Sequence, residues 1–225
     1  MARMLRTALF DFDGTLIDSD RGHVAAFGKI LAPLGVTVSP EFYADKLMGW
    51  SNTDIFQRYF PGASVAQLAQ LSEYKEQVYL EHCDLVTCHE GAVAVLQALR
   101  NSGVQLALVT NAPRLVVETI GERLKLLNYF DTIVTIEDVA NGKPDPAPYR
   151  VALARLAAEA RTAVAVEDSS SGVASAAAAG LPVLWFSRSD RARWPGPGVE
   201  RIRSLREVLE QTIPRGVTSG DQDSE

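Results

Sequence analysis

The chain has 225 residues, 47% of them hydrophobic, enough to bury one large core or two modest ones. A formal net charge of −6 argues against a nucleic-acid surface, and no apolar run approaches the length of a membrane span. Cys83 and Cys88 are too few for a disulfide framework, so a reducing, cytoplasmic setting is expected.

Residues 5–10 form a short apolar run that ends in Asp11, Asp13 and Gly14. This is the pattern of a buried strand that delivers two carboxylates to its C-terminal end, where open α/β sheets build their sites. Residues two apart share one face of a strand, but one acid following the other so closely also repels it, which favours a cation between them. Gly14, just after the pair, permits a sharp turn at the strand end.

Residues 18–89 read as an all-helical block with no strand signal. Val24, Phe27, Ile30, Leu31 and Leu34 recur at helical spacing. Ser39-Pro40 is a cap followed by a first-turn proline, and Ser64 with Gln67 is a capping box that opens a helix to about Glu81. His82-Cys83 and Cys88-His89 imitate a zinc cluster, but neighbours in sequence diverge on a helix, and a zinc site is not expected.

From Gly91 onward helix and strand alternate, the signature of a parallel sheet. Helices are expected over 92–100, 113–127, 145–158 and 172–179, and strands over 105–110, 133–136, 163–166 and 182–186. Ser204 and Glu207 form a second capping box opening a last helix to about Gln211. The polar segment 214–225 is expected to be disordered. The second strand ends in Thr110-Asn111, the fourth in Glu167-Asp168-Ser169, and Gly142-Lys143-Pro144-Asp145 precedes a helix.

These four segments resemble, in order, the four motifs of the haloacid dehalogenase-like hydrolase superfamily, and most closely its small phosphatases with a helical cap. The likeness covers about Leu5 to Leu209. It implies an α/β fold: a Rossmann-like parallel-sheet core (1–17 and 90–213) with an inserted all-helical cap (18–89). It implies that Asp11 is a nucleophile forming an acyl-phosphate, and that Asp13 is the general acid and base. The dehalogenases lack the second aspartate. The Thr110 hydroxyl and the Asn111 backbone N–H would donate to phosphate oxygens, against the plainer reading of a helix cap. Lys143 would offset charge on Asp11 and the phosphate. Asp11, the Asp13 carbonyl, Asp168 and, directly or through water, Glu167 would hold Mg²⁺.

The resemblance also assigns Met48 to Asn52 to the cap segment that reaches the site. The related sugar-phosphate mutase has basic residues at the positions of Met48 and Asn52, and their absence favours a plain phosphatase. His23 either polarises the site or is a half-exposed helical histidine. Arg114 either touches substrate or is a surface arginine, and Trp50 is either a substrate lid or cap core. The implied activity is hydrolysis of a small phosphorylated metabolite: a sugar phosphate, a phosphogluconate-like acid or phosphoglycolate. A phosphosugar mutase, a haloacid dehalogenase and a non-catalytic phosphate-binding protein are the alternatives. The chain is expected to work as a monomer or homodimer, without membrane or nucleic acid.

Overall fold

The computed structural model describes residues 5–188, 196 and 199–212. Its first strand, β1 (Thr7–Phe10), is buried along its whole length. The chain then forms β2 (Ile17–Asp18) and four helices, α1 (Asp20–Leu31), α2 (Pro40–Lys46), α3 (Asn52–Tyr59) and α4 (Val65–Glu81), before β3 (Thr87–Cys88). Alternation follows: α5 (Ala92–Asn101), β4 (Gln105–Val109), α6 (Arg114–Arg123), β5 (Thr132–Val134), α7 (Ala147–Arg155), β6 (Ala163–Glu167), α8 (Ser170–Ala178), β7 (Val183–Phe186), β8 (Val199–Ile202) and α9 (Glu207–Thr212).

Among the described residues six strands pair in the order β5-β4-β1-β6-β7-β8, every pair parallel. Parallel strands need both faces covered, and the central ones alternate their side chains between two cores. Ala8, Phe10, Leu108 and Val166 join one cluster, while Leu9, Ala107, Val109 and Ala165 join the other. A third cluster lies within the helical block, built on Phe27, Leu31, Phe56 and Leu68. Among the described residues no helix is long and apolar enough to cross a membrane.

Local signals explain the helix starts. Ser39 accepts from the Phe42 N–H at 3.1 Å, and Ser64 and Gln67 make both halves of their capping box. The second box forms only in part: Glu207 accepts from Ser204 N–H at 2.8 Å, while Ser204 Oγ accepts from Arg206 N–H.

The structure corrects several expectations. The block after β1 is not strand-free, because β2 and β3 pair antiparallel, Ile17 with Cys88 and Asp18 with Thr87. Two-residue strands carry too little pattern to be read from sequence. A sixth core strand, β8, was not expected. Its sequence Val-Glu-Arg-Ile has a half-polar edge character, with Glu200 exposed. β5 ends at Val134, and Ile136–Asp138 turns into a 3-10 helix closed by Thr135 and Asp138. His82 Nδ1 lies 2.9 Å from the Val78 carbonyl, and both cysteines are free. The expected tail, 214–225, lies outside the described residues.

Asp138 ties this turn to two helices. Its carboxylate accepts from Arg114 at 2.5 Å, Arg155 at 2.6 Å, Thr135 N–H at 2.8 Å and the Thr135 hydroxyl at 3.0 Å. Burial acts to raise this carboxyl, and Arg155, Thr135 and Arg114 outweigh it, holding its pKa at about 2. A depressed carboxylate stabilises the fold above its unfolded pKa of 3.8, and that contribution is lost as pH falls toward 2. Asp138→Ala is therefore expected to destabilise by about 1–2 kcal/mol at pH 7, allowing for the solvent around both arginines. In denaturant titrations the gap from wild type should narrow as pH falls from about 4 to about 2.

Candidate active site

The strand order brings the ends of β1, β4 and β6 side by side, and the site lies there. Asp11 N–H bonds the Val166 carbonyl at 3.0 Å, continuing the ladder one residue beyond β1. The chain then turns sharply. Leu16 and Ile17 N–H both reach the Phe12 carbonyl, and Gly14, at φ 78°, donates to the Ile17 carbonyl at 2.8 Å. A Cβ on Gly14 would stand 2.1 Å from Asp168 Oδ2, so the turn needs glycine for both its angle and its space.

Lys143 occupies the centre. Its ammonium donates to Asp11 Oδ1 at 2.6 Å, Glu167 Oε1 at 2.5 Å and the Val109 carbonyl at 2.7 Å, using all three hydrogens. Burial works to lower the pKa of this ammonium, and Asp11 and Glu167 outweigh it, holding it above its usual value. Burial pushes the Asp11 carboxyl up to about 7, against the pull of Lys143. Tyr149 on α7, fully buried, donates to the same Glu167 oxygen at 2.5 Å, and burial followed by the Glu167 charge keeps its phenol protonated.

The lysine's backbone is held as firmly as its head. Asn111 Nδ2 donates to the Lys143 carbonyl at 3.0 Å, and Lys143 N–H donates to Asn111 Oδ1 at 2.8 Å. One side chain thus pairs with the loop as a neighbouring strand would. Thr110 Oγ1 accepts from Ala112 N–H at 3.0 Å, leaving its proton to donate.

Asp11, Glu167 and Asp168 each offer a carboxylate oxygen, and these lie within 4.8 Å of one another. Burial, then the charges of Asp11 and Glu167, raise the Asp168 carboxyl well above the ordinary range. A hard divalent cation relieves this repulsion, and an all-oxygen donor set with space kept by Gly14 suits Mg²⁺. Glu167 is also committed elsewhere, to Lys143 and Tyr149.

Asp13 faces the helical block. Tyr79 of α4 donates its hydroxyl to Asp13 Oδ1 at 3.4 Å, and His23 Nε2 lies 3.6 Å from the same oxygen. The His23 ring stacks on Tyr79 at 4.3 Å and lies 5.9 Å from Tyr43. Its Nδ1 is buried without a protein partner. Burial acts to raise Asp13, and His23, Ser19 and Lys75 outweigh it, holding the carboxyl below its usual value.

Two sequence candidates stand apart from this cluster. The Arg114 guanidinium is engaged by Asp138, and Trp50 is 55% exposed with Arg58 over its ring at 5.2 Å. Three residues here were not read from sequence: Tyr149, Tyr79 and Lys75. Lys75 left a signal, because it falls on the apolar stripe of Leu68, Leu71, Val78 and Tyr79.

The sequence profile of haloacid dehalogenase-like hydrolases matches residues 8–186. The chain belongs to that family. Phosphoglycolate phosphatase (plasmid) of Cupriavidus necator is 32% identical over 194 residues, covering 84% of this chain and 82% of the relative. Validoxylamine A 7′-phosphate phosphatase of Streptomyces hygroscopicus subsp. limoneus is 31% identical over 212 residues, covering 91% and 96%. The crystal structure of CbbY from Rhodobacter sphaeroides in complex with phosphate is similar at a TM-score of 0.79 and 25% identity, covering 93% of this chain and 99% of that one.

Asn111→Ala removes both bonds that hold the Lys143 backbone. A loss of about 0.5–1.5 kcal/mol is expected, because two hydrogen bonds are lost where water has partial access. Chemical denaturation measures it.

Proposed function

We propose that this member of the haloacid dehalogenase-like hydrolases is a Mg²⁺-dependent phosphomonoesterase acting through an aspartyl-phosphate. The observation that carries the reading is the buried Lys143 ammonium on Asp11 Oδ1, with the Asp13 carboxyl in the adjoining turn. By fixing Oδ1, Lys143 fixes the plane of the attacking carboxylate.

Asp11 attacks phosphorus, the bond from phosphorus to the leaving oxygen breaks, and Asp13 gives that oxygen its proton. Water then attacks the acyl-phosphate, Asp13 takes the water's proton, and phosphate leaves with Asp11 restored. For the first step Asp13 must enter protonated. The charge of a phosphate brought beside it raises its proton affinity from the low value of the free site. The Lys143 charge offsets charge that gathers on the phosphoryl oxygens, and the Thr110 hydroxyl donates to them. Asp11, Asp168 and the Asp13 carbonyl would hold Mg²⁺, with Glu167 as the partner of Lys143 or a further ligand. When bound, the cation offsets charge between the carboxylates and the phosphoryl group.

The helical block, in this reading, is a cap that closes over the leaving group. Asn52 supports phosphatase over mutase, since its amide is engaged by Glu76 and no base stands there to hold a second phosphate. The presence of Asp13 disfavours the dehalogenase reaction, whose halide needs no proton. The phosphatase names of the relatives agree with the reading.

Asp11→Asn is expected to lower phosphate release by at least about a thousandfold, because an amide forms no acyl-phosphate. Intact-mass measurement excludes reversion by deamidation, and substantial turnover in the verified variant would remove Asp11 from the nucleophile's role. Separately, exhaustive chelation is expected to stop the reaction and added Mg²⁺ to restore it. Full activity in protein shown by metal analysis to be metal-free would end the cation's role.

A further inference from the structure

Helix α4 carries a lysine where its packing face calls for an apolar residue. Lys75 is only 3% exposed, and its ammonium lies 4.9 Å from the centre of the Tyr79 ring and 5.4 Å from that of Phe27. Tyr79 in turn donates to Asp13. A single aromatic ring therefore separates this cation from the proposed acid.

The ammonium is matched. It donates to Glu76 Oε1 at 3.0 Å, and the same oxygen accepts from Asn52 Nδ2 at 2.8 Å. Adjacent residues on a helix do not ordinarily face each other. Here Lys75 lies along aromatic rings to reach Glu76, and Asn52, in the first turn of α3, holds the carboxylate from another helix. Glu76 keeps 18% of its side chain exposed, so it remains within reach of a ligand. Burial, followed by the charges of Asp13 and Glu76, raises the Tyr79 phenol above its usual value.

The arrangement has a consequence for charge. A bare buried ammonium would attract a second anionic group on the substrate. Paired with Glu76, it presents no net charge, and an approaching carboxylate or phosphate meets another carboxylate at low dielectric. A hydroxyl suffers no such penalty, since it can donate to Glu76 and accept from Lys75 or Asn52.

We propose that Glu76, held by Lys75 and Asn52, is a specificity-determining residue on the leaving-group side, selecting uncharged, hydroxyl-rich leaving groups over those bearing a carboxylate or second phosphate. This rests on the phosphomonoesterase reading and narrows its substrates to monophosphates of sugars and polyols.

The test compares kcat/KM of the full chain on sorbitol 6-phosphate and on phosphoglycolate, with 4-nitrophenyl phosphate as a measure of a working site. Wild type is expected to favour the polyol phosphate. Glu76→Gln leaves the Lys75 charge unmatched, so the ratio of polyol to carboxylate substrate should fall by at least about tenfold. The ratio is read within one protein, so a general loss of activity cancels. Asn52→Lys adds a second cation to the same carboxylate and should move the ratio in the same sense. It decides the matter if Glu76→Gln fails to fold or to turn over the aryl phosphate. An unmoved ratio in a variant that still cleaves the aryl phosphate, or a wild type that favours phosphoglycolate, overturns the proposal while leaving the phosphatase reading standing. A folded, Mg²⁺-loaded wild type that cleaves none of the three overturns both.

Discussion

A single buried ammonium organises the edge of the sheet where the candidate site lies. Lys143 has almost no access to water and binds two carboxylates and a backbone carbonyl. Removing one partner of such a buried pair leaves the other charge uncompensated, at a typical cost of about 3–5 kcal/mol. The surrounding structure follows from that constraint. β1 and β6 must be neighbours for Asp11 and Glu167 to share one cation, and β4 must flank β1 so that Val109 can accept the third hydrogen. Asn111 clamps the loop that carries the lysine, and Tyr149 shares the Glu167 oxygen from beneath.

The sheet was readable because its strands are covered on both faces and therefore nearly continuous in apolar residues. Leu106 to Val109 and Ala163 to Val166 could be assigned without tertiary knowledge, and the glycines and capping residues marked the helix ends. Elements with little burial pattern were lost. β8 has only Val199 and Ile202 to announce it, and the β2–β3 ribbon is too short for any period to show.

The candidate site was legible for a different reason. Asp11, Asp13, Lys143, Glu167 and Asp168 stand at strand ends or beside turn residues, where charged side chains have no packing role. The residues that support them were hidden. Tyr149 and Tyr79 look like core aromatics in sequence, and only the direction of their hydroxyls gives them a polar task. The expected phosphate donor at Asn111 is its backbone N–H, and its side chain has a separate task on the Lys143 backbone. The sequence could not show that, because the two residues are brought together by the fold across 32 positions. Glu167 is similar: its buried oxygen serves lysine and tyrosine at once, a geometry that no linear spacing encodes.

The pairing of β2 with β3 bears on how such a fold can change over time. The chain enters the helical block at Ile17 and leaves it at Cys88, which face each other across one rung of the β2–β3 ribbon. His89 N–H also bonds the Leu16 carbonyl at 2.9 Å. Everything between those points is, topologically, a long excursion from a closed gate. Its length and content can vary without rethreading the parallel strands or altering which strand ends meet. Selection can therefore remodel the helical block while the register of Asp11, Lys143 and Asp168 is inherited intact.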